Sequence, residues 1–292
     1  RFRRYILFFM LSSIISFSGC SRNSIETVVP VPVESEQEAT MQVTPTPQPT
    51  QILTQSPSIS PTPTSTQVNG ICSPLKDIEL GDLHSITSQA FTQPAPYKDD
   101  GHPAVDLAFF TFKDMPSMIG HPVNAILPGN VVQVLADRYP YGNAIIIETP
   151  LDRVSAEITK MLTLPTPIPQ ENLDIVKPCD SDPLFKDLTP LQMSDSSKSL
   201  YVLYAHLLER PSLETGEVVA CGQEIGLVGN TGNSAAEHLH LEMRIGPSNA
   251  AFGSLAMYKE DASVEERYSY CIWTMSGRFQ PINPVTLWEQ EP

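Results

Sequence analysis

His238-Leu239-His240-Leu241-Glu242 alternates polar and apolar residues with a period of two. On an extended chain successive side chains point to opposite faces, so His238, His240 and Glu242 share one face. Leu239, Leu241 and Met243 share the other and can pack into a core. The stretch predicts a half-buried strand with a polar face. Two imidazoles on one strand face form half of a zinc site, because zinc prefers nitrogen donors. Alone the pair is weak evidence, since a His-x-His is more often a surface feature than a ligand pair.

Working outward, His102-Pro103-Ala104-Val105-Asp106 supplies a histidine and a carboxylate that return to one side of an extended segment. Two histidines plus one carboxylate, with the fourth position left to water, is a catalytic zinc set; a structural zinc would have four protein ligands. Tyr204-Ala205-His206-Leu207 ends an apolar run, where a histidine is as easily a buried, satisfied one. Short β-like runs recur from about residue 100: Val131 to Leu135, Ala144 to Glu148, Ser199 to Tyr204, Glu217 to Ala220, Glu224 to Val228 and His238 to Arg244. Tyr-Pro-Tyr-Gly-Asn between the first two reads as a hairpin turn. The expectation is an all-β protein with an antiparallel sandwich or barrel-like core. Two segments, about 150–198 and 247–280, break the rhythm and read as loop or helix insertions, the first with a short helix over Asp152 to Leu162. His84 and His121 lack a partner pattern and read as ordinary. Glu242 and Arg244 read as strand support, and Trp273 and Trp288 as packing or rim residues.

These residues resemble the lysostaphin and LytM type of zinc metallopeptidase, the peptidoglycan endopeptidases of the duplicated-hybrid-motif fold. The resemblance rests on His102 to Asp106, Tyr204 to Leu207, Gly222 to Gly226, and Gly229 to Gly232 followed by His238 to Glu242, in that order. It extends to Pro122 to Ala125, Tyr141 to Asn143 and Ile282 to Pro284, covering roughly residues 91 to 290 less the insertions. It implies that His102, Asp106 and His240 bind Zn²⁺ and that His206 and His238 are the catalytic pair. One of the pair would take a proton from water and the other would stabilise the oxyanion, the order being open. The implied activity is hydrolysis of peptide bonds in peptidoglycan stems or crosslinks. The alternative is a non-catalytic cell-envelope binding or activator module of the same fold. The sequence departs from the family where Ala104-Val105 replaces a Gly-Ile or Gly-Val pair, where Ala235-Ala236-Glu237 replaces a Gly-containing loop, and in lacking a tyrosine upstream of the first ligand, for which Tyr97 is the nearest candidate.

The remaining features concern delivery. Arg1, Arg3 and Arg4 precede thirteen uncharged residues and then Ser18-Gly19-Cys20, a pattern too short for a membrane span and suited to a signal peptide over residues 1–20. Phe17 to Cys20 resembles a lipoprotein lipobox, which would make Cys20 the lipid attachment; a plain secretion signal or an uncleaved anchor stands as the alternative. Residues 21–70 carry eight prolines between Pro30 and Pro63 and no aromatic residue, so they read as a stalk. A metallopeptidase domain over 71–292 remains, and 41% hydrophobic residues overall suffice for a core. The location expected is the cell envelope outside the cytoplasmic membrane, with membrane contact only through that N-terminal anchor. Cys72, Cys179, Cys221 and Cys271 allow two disulfides in three connectivities, consistent with export. The net charge of -15 excludes a nucleic-acid binder, because no basic block is present to neutralise phosphates. It also means that charge attraction cannot hold the chain to an anionic wall.

Overall fold

The alternating stretch forms the centre of β9 (Leu239–Ser248), the strand around which the main sheet is built. The computed structural model describes residues 67–162, 178–257 and 261–289. The signal peptide, Cys20 and nearly all of the stalk lie outside the described residues, as does the stretch 163–177 of the first insertion. Among the described residues no helix is long and apolar enough to cross a membrane.

The main sheet contains β1 (Thr87–Gln89), β2 (Ala104–Leu107), β4 (Gly129–Arg138), β5 (Gly142–Pro150), β6 (Ser194–Leu207), β7 (Val218–Val219), β9 and β10 (Gln280–Ile282). Its order is β1-β2-β9-β6-β5-β4-β7, with β10 pairing alongside β9, and every pairing is antiparallel. β3 (Pro122–Asn124) and β8 (Glu224–Leu227) form a second, two-stranded sheet. The all-β expectation holds as a sandwich-like arrangement, but the barrel-like alternative does not: the strand order ends on β1 and β7, which do not pair with each other.

Alternation along each strand divides the apolar residues into two cores. Leu239, Leu241 and Met243 of β9, Leu200, Val202 and Tyr204 of β6, and Ile145 and Ile147 of β5 pack with Val123, Ile225, Leu75 and Leu83 on the face covered by the small sheet. The opposite face sends Tyr201, Leu203 and Ala205 of β6 and Ala144 and Ile146 of β5 against Phe252, Leu255, Trp273 and Phe279. That second core is made largely by the segment read as a polar insertion. It holds an eleven-residue helix, which we number α3 (Val264–Thr274) after two shorter ones, α1 (Ala156–Met161) and α2 (Pro178–Ser181). The sequence reading missed α3, whose N-terminus carries a capping box: the Ser263 side chain accepts from Glu266 N, and the Glu266 carboxylate accepts from Ser263 N. α1 falls within the short helix expected over Asp152 to Leu162.

Of the three disulfide connectivities, the structure has Cys72–Cys221 and Cys179–Cys271. The second ties α2, in the first insertion, to α3 in the second, whereas α1 packs in the other core through Ile158. Val68, inside the stretch read as stalk, is buried and bridges Val154: its N–H donates to Arg153 O (2.7 Å), and Ser155 N–H donates to its carbonyl (2.9 Å).

Candidate metal centre

Strand register brings the separated histidines together. Asp106 on β2 lies directly opposite His240 on β9, and Ala205 on β6 lies opposite His240 from the other side. Residues directly opposite on neighbouring strands have Cβ atoms only about 4.5–5.5 Å apart, so the pairing alone delivers Asp106 to His240. His102 stands just before β2, bridged to Thr92, and His238 just before β9, bridged to Gly229.

His206 arrives differently. Ala205 shares the face of His240, so strict alternation would turn His206 to the other side. Its φ of +59° breaks the alternation and swings the ring into the cleft, 4.7 Å from the His238 ring and 5.5 Å from that of His240. A non-glycine residue in the left-handed region is held there by its surroundings. His206 N–H donates to Tyr141 O (3.0 Å), and its Nδ1 pairs with Thr231 O (2.7 Å). Those partners sit where two turns cross. Thr231 Oγ1 donates to Leu207 O and accepts from Asn143 N–H, while Gly232 (φ +75°) lies against Gly142 (φ +68°) so closely that a Cβ on either would strike backbone. This crossing is the physical content of the Tyr141 to Asn143 and Gly229 to Gly232 motifs.

All five expected site residues therefore line one cleft of about 650 Å³. His102, Asp106 and His240 bring one ligand atom each within 4.8 Å of one another, and His206, His238 and His240 do the same. Three of the four histidines are oriented alike: Nδ1 of His102 pairs with Ala90 O (3.1 Å), of His206 with Thr231 O, and of His238 with Ala236 O (2.8 Å). A carbonyl only accepts, so each Nδ1 carries the hydrogen and each neutral ring presents an Nε2 lone pair. His102 Nε2 meets Asp106 Oδ1 at 3.1 Å, and His240 Nδ1 meets the same oxygen at 3.0 Å. A lone pair facing a carboxylate at that distance requires a proton or a cation between them. Two imidazoles and a carboxylate converging on one point match the donor set of a catalytic zinc, so these residues fit that ion.

Electrostatics sharpen the picture. Burial opposes charge on Asp106, but its close contacts with the His102 and His240 rings outweigh it and hold the carboxyl well below its ordinary range. Burial likewise opposes charge on His240, yet Asp106 and Glu242 push it up to about 9. His206 goes the other way: burial, reinforced by His240 and His238, pushes it down to about 3, so it is a neutral base at pH 7.

Further cleft residues escaped the sequence reading. Tyr270 and Thr274 of α3 form part of the wall, and Tyr270 Oη donates to Asp99 Oδ2 at 2.9 Å. Phe110, 81% exposed, stands on the rim. Tyr97, the nearest candidate for the tyrosine that the sequence lacks upstream of the first ligand, sits against Gly277. His84 and His121 pair with the backbone carbonyls of Gly81 and Lys76, as ordinary surface histidines. Ala104 and Val105 are fully buried in β2, so the missing glycine there is absorbed by a regular strand.

Residues 188–251 match the family described as peptidase family M23, a segment that contains His206, His238 and His240. Similar solved structures include a catalytic domain of the prophage-encoded M23 protein EnpA from Enterococcus faecalis, at 19% identity over 56% of this chain and 83% of that one, with a TM-score of 0.32. A zinc-containing peptidase from Vibrio cholerae matches at 18% identity over 65% of this chain and 41% of that one, TM-score 0.33. The catalytic domain of the antimicrobial peptidase lysostaphin from Staphylococcus simulans matches at 20% identity over 59% and 87%, TM-score 0.32.

Proposed function

We propose that this chain is a zinc-dependent metalloendopeptidase of the M23 type that hydrolyses peptide bonds in peptidoglycan stems or crosslinks. The observation that carries the reading is the convergence of His102 Nε2 and His240 Nδ1 on Asp106 Oδ1, with two further histidines on the same cleft. The M23 match over residues 188–251 supports the reaction class. In this reading His102, Asp106 and His240 would hold Zn²⁺, which would supply Lewis acidity and lower the pKa of water toward neutrality.

The chain's own groups do the rest. His206, neutral and buried, with its Nδ1–H held by Thr231 O, presents Nε2 to accept the proton of attacking water and deliver it to the leaving amine. His238, with its Nδ1–H held by Ala236 O and Nε2 3.6 Å from Asp106 Oδ2, stands where a protonated ring stabilises the oxyanion. Tyr270 and Phe110 line the same cleft, along which a peptide would lie. Both disulfides support a location outside the cytoplasm. The intact set of five residues counts against a non-catalytic module.

The test is incubation of the purified chain and zinc with cell-wall sacculi, followed by mass spectrometry of the released peptides. New amino termini at one bond type are expected, and intact sacculi in the presence of bound zinc would refute the activity. His240→Ala should lose zinc and hydrolysis together. A variant that still holds one equivalent would overturn the ligand assignment.

A further inference from the structure

Behind the cleft, a continuous series of buried polar contacts runs from α3 to His240. Trp273 Nε1 donates to Tyr141 Oη (3.1 Å), and Tyr141 Oη donates to Glu242 Oε2 (3.0 Å). That same carboxylate oxygen lies 3.5 Å from His240 Nε2. The other Glu242 oxygen accepts from Arg244 Nε. Arg244 in turn donates to Phe279 O (2.9 Å) and lays its guanidinium 5.1 Å over the Trp273 ring. Glu242, Arg244 and Trp273 are at most 1% exposed, so no water competes for these contacts.

The arrangement has a direction. His240 is the exception among the four histidines: its Nδ1, not its Nε2, faces Asp106, and its Nε2 is turned away from the centre. That Nε2 is buried without a hydrogen bond, and Glu242 Oε2 is the carboxylate oxygen beside it. An N–H at Nε2 has this acceptor within reach, and a hydrogen on Nε2 leaves Nδ1 as the lone-pair donor of a neutral ring. Glu242 cannot rotate freely toward or away from the ring, because Tyr141 holds one oxygen and Arg244 the other. Tyr141 is held by Trp273, which stands on a helix joined to the first insertion by Cys179–Cys271.

We propose that Glu242, Tyr141 and Trp273 are positioning residues for His240, holding its ring so that Nδ1 is presented to the metal and Nε2–H points at the carboxylate. Helix α3, which comes from an insertion between core strands, is on this account part of the metal centre and not an ornament on it. The inference rests on the metallopeptidase reading above. Partners of this kind typically change metal affinity by about 10- to 100-fold when removed.

The experiment measures zinc affinity of the full chain by competition with a chromophoric chelator, together with the visible spectrum of the Co²⁺-substituted protein. The proteins compared are wild type, Glu242→Gln, Tyr141→Phe, Trp273→Phe and, as a control, Leu255→Ala. Leu255 belongs to the same apolar cluster but not to the hydrogen-bonded series. Glu242→Gln is expected to weaken zinc by about 10- to 100-fold. Tyr141→Phe and Trp273→Phe should weaken it by successively smaller factors, all with shifted cobalt bands. Leu255→Ala should lower the melting temperature yet keep affinity and spectrum. Glu242→Gln leaves Arg244 without its carboxylate and can fail on folding alone, so Tyr141→Phe, which removes a single oxygen, is the deciding variant. Wild-type affinity and spectrum in Tyr141→Phe, while wild type binds zinc tightly, overturns this inference and leaves the metallopeptidase reading standing. Affinity losses that track melting temperature through Leu255→Ala also overturn it. A wild-type chain that binds no zinc overturns both.

Discussion

Replacing Gly232 by alanine tests whether the turn crossing builds the site. Gly232 has φ +75°, and a Cβ placed there falls within 3 Å of Gly142 N, Pro140 O and Gly142 Cα. Two costs are expected. The left-handed backbone costs an L-residue about 1–2 kcal/mol. Overpacking against backbone atoms, which cannot rotate aside, costs about 1–3 kcal/mol more. Gly120 separates the two, because it shares φ +75° and has nothing within 4 Å of its virtual Cβ. Gly120→Ala should therefore lose only the first amount. A domain of this size shifts by about 2–4 °C per kcal/mol, so the two variants should melt about 2–12 °C apart, Gly232→Ala being the lower. Differential scanning calorimetry under matched zinc measures this. The same substitution displaces Thr231, the carbonyl partner of His206, so hydrolysis of sacculi should fall in Gly232→Ala and not in Gly120→Ala. Equal melting temperatures, or an unaffected rate in Gly232→Ala, would refute the claim that the crossing holds His206 in place.

Other expectations follow from single features. Saturating zinc at about a thousand times its dissociation constant should stabilise the wild type by about 4 kcal/mol, a gain absent from His240→Ala in thermal melts. His206 is pushed down to about 3 from the ordinary 6.5, so the unfolded chain binds a proton that the folded one refuses. Stability of the metal-free protein is then intact above pH 6.5 and declines as pH falls toward 3, by up to about 1.4 kcal/mol per unit from this group. Denaturant titrations across that range should show a shallower acid decline in His206→Gln; parallel curves would count against the assignment. Paired serine replacement of Cys179 and Cys271, which close a loop spanning 92 positions, should cost about 4.6 kcal/mol on the chain-entropy account. A chain beginning at Ile71 should be about 2–4 kcal/mol less stable than one beginning at residue 67, because it loses the buried Val68 and its two backbone hydrogen bonds.

Much of the site was legible because the chemistry lies in short, periodic segments. The alternation through His238 to Glu242 dictates which side chains share a face, whereas the ligand set came only with the family resemblance, because the register that puts Asp106 opposite His240 is a tertiary fact. His206 was legible only as part of a motif. A regular strand through Ala205 and His206 would aim the ring away from the cleft, and nothing local in Tyr-Ala-His-Leu announces the left-handed φ that reverses it. Helix α3 was missed because its apolar face is diluted by polar residues over Val264 to Thr274. Its start signal, Ser263 with Glu266 three positions later, was nonetheless present. Tyr270 and Trp273 owe their places to how α3 packs on the sheet, a tertiary fact that no period within the helix encodes. Disulfide connectivity was open for the same reason, since it depends on which insertion lies beside which.

The Cys72–Cys221 bond sits where the described chain first enters the sheet structure, four residues after Val68. Tension arriving from the N-terminal side can peel away only the short edge around Val68 before it meets a covalent link. From there the load passes straight to Cys221, and along β8 toward His238 and His240, bypassing the whole stretch 73–220. Pulled from its N-terminal side, the domain would thus bear strain along the shortest covalent route to its own cleft, leaving β2, β5 and β6, all within 73–220, off that route. Force spectroscopy with handles before residue 67 and at the C-terminus should show the corresponding signature: an unfolding extension shortened by the closed loop, and lengthened by the missing contour when Cys72 and Cys221 are replaced.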